Sequence, residues 1–111
     1  MHRRRQGPRA LKQALLNLLL NAIEATPRGG AVRVRVAERP RSVRFEVEDE
    51  GPGVPADVRA RIFQPFVTTK EGGTGLGLAL ARLVAEEHRG TLELAPGSSK
   101  GATFVLELPR A

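Results

Sequence analysis

Leucines dominate the first quarter of the chain, and polar residues interrupt them at helical intervals. Leu11, Leu15, Leu18, Ala22 and Ala25 recur every three to four residues, which predicts a helix from about Arg9 to Ala25. Gln13, Asn17, Asn21 and Glu24 keep the same interval on a second stripe. Pro27, Gly29 and Gly30 stop the helix. The period then changes to two. Val32, Val34 and Val36 alternate with Arg33 and Arg35, and Val43, Phe45 and Val47 alternate with Arg44, Glu46 and Glu48. The short AERPRS connection makes these two strands an antiparallel pair. Residues 51–75 read mostly as loop, with one short helix near Ala56 to Ile62 that Pro55 and Asp57 start. A second long helix carries Leu76, Leu80, Leu83, Val84 and Glu87 and ends at Gly90. Leu92 and Leu94 mark a third strand, and Ala102, Phe104, Leu106 and Leu108 a fourth, joined by the turn PGSSKG. The predicted fold class is α+β, with helices on one face of an antiparallel sheet.

A chain of 111 residues with 41% hydrophobic positions supports one core and one domain. Residues 1–8 read as a basic flexible tail and residues 9–111 as the domain. The lack of cysteine removes disulfides and thiolate zinc sites. No apolar run approaches the ~20 residues of a membrane span, and no apolar stretch follows the basic start as in a signal peptide. Net charge is +6, and Arg3, Arg4, Arg5 and Arg9 supply four of the positive charges. With four Phe and neither Tyr nor Trp, stacking platforms for single strands are missing. No nucleic-acid recognition motif stands out, so nucleic acid is not an expected partner.

Three motifs carry candidate chemistry. Asn17 and Asn21 lie one turn apart and project together. They either offer amide oxygens to a hard cation such as Mg²⁺, carried mainly by a triphosphate, or cap loop backbone. Asp49 opens the run DEGPG, where Gly51 and Gly53 let the backbone turn or approach a ligand. Its carboxylate either accepts a hydrogen bond from an exocyclic amine, as in adenine, or belongs to an ordinary turn. The run KEGGTGLGLALA lacks the Lys-Ser/Thr pair of a phosphate loop and the βαβ setting of a dinucleotide fingerprint. Glycine costs a helix roughly 1 kcal/mol relative to Ala, yet glycines crowd this helix start. Bare N–H groups at a helix N-terminus suit phosphate. Lys70 adds a mobile positive charge upstream, and Thr68 and Thr69 are either hydroxyl donors or polar loop residues. Phe63, Phe66 and Val67 form either a satellite core or the apolar anchor of a lid over the phosphates.

In this order and spacing, from Leu11 to Pro109, the motifs resemble the catalytic ATP-binding domain of bacterial sensor histidine kinases. Their superfamily also holds DNA gyrase B, Hsp90 and MutL. The resemblance implies a two-layer α/β sandwich with a mixed, mainly antiparallel sheet, the histidine-kinase-like ATPase (Bergerat) fold. It implies ATP and Mg²⁺ as cofactors, with Asn21 as the metal ligand and Asn17 near the phosphates. Asp49 would hold the adenine amino group, with Gly51 and Gly53 in the same box. Phe63 and Phe66 would be the aromatic positions of FQPFVTTK. Lys70, Gly73, Thr74, Gly75, Leu76 and Gly77 would surround the phosphates, and Thr103 in GATFVLELP would sit by the adenine. Asn17, Asn21 and Lys70 would serve the phosphoryl transfer itself.

The departures are specific. The ATPases of the superfamily carry a general-base Glu where this chain has Asn17. A neutral amide takes no proton from water, so hydrolysis by that route is disfavoured. Glu24 is expected to be structural. The family phosphorylates a His in a helical hairpin, whereas His2 lies in the Arg-rich segment and His88 near a helix end. The strand implied ahead of the Asn-bearing helix is replaced by the Arg-rich segment. The chain is therefore expected to be a catalytic half. Its implied partners are the histidine-containing helical dimerisation domain of the same kinase and a response regulator receiver domain. The full-length protein is expected to be a homodimer with this part in the cytoplasm, whether or not the whole is membrane-anchored. Alternatives are an anti-sigma-factor-type serine/threonine kinase, a gyrase-like ATPase, which Asn17 argues against, and a noncatalytic interaction module.

Overall fold

The computed structural model describes residues 8–68, 75–96 and 101–110. Helix α1 runs over Pro8–Ala25. Pro8 opens the helix, since a first-turn N–H has no intrahelical acceptor to lose. Strands β1 (Arg33–Glu38) and β2 (Ser42–Glu48) follow. Their antiparallel register sets Val34 opposite Val47 and Val36 opposite Phe45. Helix α2 covers only Ala56–Arg59, and turns replace the expected extension to Ile62. Helix α3 (Gly77–Glu87) leads to β3 (Thr91–Leu94) and β4 (Thr103–Pro109). The sheet order is β1-β2-β4-β3. Each described pairing is antiparallel, so the mixed character expected of the sheet is absent among these strands.

The alternating strands place Val47, Leu92, Phe104 and Leu106 on one face, each 2% exposed or less. Leu18 of α1 is fully buried against them, with Ala14, Ala22, Ala81 and Ala85 in the same core. Four alanines let the two helices and the sheet pack closely. The opposite sheet face is a ladder of charge. Arg35 lies 3.8 Å from Glu46 and 3.4 Å from Glu48, and Arg44 lies 3.0 Å from Glu46. The helix end is closed by backbone bonds from Gly90 N–H to Ala85 O and from Arg89 N–H to Glu86 O. Arg89 adopts the left-handed conformation there, with φ +63°.

Phe63 is not in a satellite cluster. Its ring meets Phe104 edge-to-face at 5.9 Å, and the Arg82 guanidinium stands 4.8 Å over it. Phe66 is 75% exposed, with φ +72°, and joins no core.

Candidate functional site

The C-terminal half of α1, the turn after β2, the start of β4 and the first turn of α3 meet at one end of the sheet. Asp49 stands at this junction and is the one buried charged residue among those described, 4% exposed. A buried carboxylate is costly unless its oxygens are satisfied. Here Oδ1 accepts from the N–H of Gly51 at 2.9 Å and of Ala102 at 3.1 Å. The Asp49 N–H donates to Ala102 O at 2.9 Å. Two strand ends thus latch the side chain, and Oδ2 has no protein partner among the described residues. Gly51 is needed for close approach, since a Cβ there would stand 2.5 Å from the carbonyl oxygen of Ala25.

Asp49 lines a cavity of about 520 Å³. Asn17, Asn21 and Glu24 border it from α1, Gly53 and Val54 from the acidic turn, and Gly75, Gly77 and Leu78 from the start of α3. Ile62 and Phe104 give it an apolar wall. Among the described residues no side chain caps α3, whose N-terminus turns the positive end of its dipole toward the cavity. The volume falls within the range of small-molecule sites.

The structure brings Asn17, Asn21, Asp49, Gly53, Gly75 and Gly77 together around one cavity, with Gly51 in the Asp49 latch. Asn17 also bridges the helices. Its Nδ2 donates to Gly77 O at 3.2 Å, and its Oδ1 accepts from Gln13 at 3.3 Å. Asn17 thus binds backbone at the start of α3, and both Asn17 and Asn21 line the cavity. Leu76 immediately precedes α3 and is 36% exposed. Lys70, Gly73, Thr74 and Thr69 lie outside the described residues, as does His2. Thr103 pairs with Glu48 in the sheet register and is not among the residues that line the cavity. Ala102, one residue earlier, lines the cavity instead. Sequence reasoning missed Ala102, Ile62 and Phe104 as site residues, although the alternation along β4 already separates Ala102 and Phe104 from Thr103. His88 caps the C-terminal end of α3, with Nδ1 3.0 Å from Val84 O.

The chain matches the family described as histidine kinase-, DNA gyrase B-, and HSP90-like ATPase over residues 6–111. The chain belongs to this ATPase family. Within it, the resemblance is to sensor histidine kinases. The sensor histidine kinase ZraS of Escherichia coli (strain K12) is 46% identical over 102 residues, which is 92% of this chain and 22% of that protein. Among solved structures, the mycobacterial sensor histidine kinase MprB superposes with a TM-score of 0.85 at 33% identity, over 94% of this chain and 72% of that one. Full-length ShkA in complex with AMPPNP superposes with a TM-score of 0.79 at 40% identity, over 90% of this chain and 21% of that one. The chain spans between 14% and 23% of the length of the first curated relatives it matches. It has the sequence and fold of the ATP-binding catalytic domain of this ATPase family's histidine kinases.

Proposed function

We propose that this domain binds Mg·ATP and transfers its γ-phosphoryl group to a histidine of a separate helical dimerisation domain, in the cytoplasm. The observation that carries the proposal is the latched Asp49, with one carboxylate oxygen unengaged among the described residues, in a cavity bounded by the start of α3. Asp49 Oδ2 would accept from the adenine amine, with Ile62 and Phe104 against the base. The amides at the start of α3 would face the phosphates. No three carboxylate or imidazole groups converge on a metal among the described residues. A cation would therefore arrive with the triphosphate, and Asn21 would hold it through an amide oxygen. Bound there, the ion would supply charge neutralisation at the phosphate oxygens.

In the transfer, an imidazole nitrogen forms a bond to the γ-phosphorus while the bond to the β–γ bridging oxygen breaks, and ADP leaves. The chain's own part is positioning and electrostatics. Asn17 takes no proton from water, which favours a protein acceptor over hydrolysis.

Docking of the acceptor is supported by apolar side chains exposed along both helices. Leu16 and Ile23 on α1 are 44% and 58% exposed, and Leu80 and Leu83 on α3 are 52% and 49% exposed, with Leu76 just before them. Such stripes mark protein-binding surfaces. A receiver domain would take the phosphoryl group from the histidine afterwards. The test is calorimetric titration with Mg·ATP. Saturable binding that the Asp49→Ala variant loses is expected, and no binding to the unaltered chain overturns the proposal.

A further inference from the structure

Gly101, at the entrance to β4, has no assigned role, yet it touches the residue on which base recognition turns. Its φ is +67°, a conformation that only Gly, and occasionally Asn or Asp, adopts routinely. Its Cα also lies against Asp49. A Cβ built on Gly101 would overlap the Asp49 carbonyl oxygen and stand 3.3 Å from Asp49 Oδ1. Asp49 has little room to yield, because its N–H and its Oδ1 are both bonded to Ala102. The Gly101 N–H donates to Gly51 O at 3.0 Å, which closes the same two turns on each other. Any side chain at position 101 must therefore shift Asp49 as a whole or open its latch.

We infer that Gly101 is a positioning residue that sets the aim of Asp49 Oδ2 into the cavity. It thereby determines selectivity for purines bearing a 6-amino donor. The inference rests on Asp49 being the base-reading residue. A carboxylate fixed at one depth accepts from an amine, gains nothing from a purine without a 6-substituent, and opposes a 6-oxo group, which offers only an acceptor.

The experiment titrates Mg·ATP and Mg·purine riboside triphosphate, which lacks the 6-amino group, into the unaltered chain and three variants. Gly101→Ala adds both strain and overlap. Gly101→Asn tolerates the positive φ but keeps the overlap. Gly29→Ala is the control, because Gly29 has φ +89° and nothing within 4 Å of a Cβ. The unaltered chain is expected to favour ATP by about tenfold or more. Both position-101 variants should bring that ratio within about twofold, mainly by losing ATP affinity, and Gly29→Ala should keep it. In an Asp49→Ala background, Gly101→Ala should cost no further ATP affinity. A folded Gly101→Ala protein with the original ratio overturns the inference. Unfolding of both position-101 variants overturns it too, since Gly101 would then serve the fold rather than the base. Equal binding of the two nucleotides by the unaltered chain would instead defeat the assignment of Asp49.

Discussion

Asp49 is buried, charged and held by two backbone N–H groups, so its side chain is already in place before a ligand arrives. Asp49→Ala should weaken ATP binding by about tenfold or more, the usual consequence of removing one partner of a buried hydrogen bond. Far-ultraviolet circular dichroism should stay unchanged, because β2 and β4 remain paired through their backbones. Unchanged affinity in calorimetry would exclude Asp49 as the base-reading residue. Asn21→Ala should act on the metal alone. The strengthening of ATP binding by Mg²⁺ should vanish, while ADP binding in excess chelator stays as it was; equal strengthening in the variant would remove Asn21 as a ligand. A third residue concerns stability rather than function. Arg89 occupies a left-handed helix-end position that glycine usually fills. Arg89→Gly should stabilise the domain by about 0.5–1 kcal/mol, a few degrees in thermal melting, whereas Arg89→Ala should give no such gain because it keeps the Cβ. Asp49 and Asn21 were legible through the order and spacing of the three motifs together, since each motif alone fits an ordinary turn or a backbone cap equally well. Ala102 could not be singled out by residue type, since it contributes mainly backbone and small size. Thr103 stands out only through the resemblance of GATFVLELP to the family's last strand, and strand alternation sets it on the face opposite Phe104.

At the scale of elements, the strands were legible because valine and phenylalanine alternate with arginine and glutamate at period two. The face of α1 was less so. Its leucines run almost all the way round, and several stripes fit them equally well. The structure buries Ala14, Leu18 and Ala22, whereas Leu16, Leu20 and Ile23 remain exposed. Small residues decide the matter, because α1 and α3 pack through alanines, at which a larger side chain would hold the helices apart. Ala85, 0% exposed, lies in the half of α3 distant from the cavity. Ala85→Leu should therefore destabilise the fold by about 1–3 kcal/mol through overpacking. ATP affinity, measured well below the melting transition, should not change. Loss of affinity at constant stability would mean that α1 and α3 communicate with the site along their whole length. The lengths of α2 and of the turns after it escaped sequence reasoning because Gly, Pro and Asp signal a break but not where the helix stops.

Among the described residues the domain combines a buried-carboxylate cavity with exposed leucines along its two long helices, and no histidine stands in a helical hairpin. His88 is half-buried at the end of α3, with its Nδ1 against Val84 O, which gives it a capping role. Asn17 carries a neutral amide that takes no proton from water, and that amide is engaged with Gly77 and Gln13. The isolated chain should accordingly bind Mg·ATP, hydrolyse it only feebly and carry almost no label after incubation with γ-labelled ATP. Adding a two-helix domain that bears a histidine should produce labelled protein, because the missing part is the acceptor rather than the nucleotide site. The label should be lost in acid and retained in base, as a phosphorus–nitrogen bond requires. Replacing Leu80 and Leu83 by Glu should leave ATP affinity unchanged and abolish labelling of the added domain, since both side chains lie outside the cavity and are half-exposed on α3. Labelling that persists in this double variant would move the docking surface away from α3. Acid-stable label would replace histidine by a hydroxyl-bearing acceptor and with it the kinase class, while leaving the nucleotide site as described.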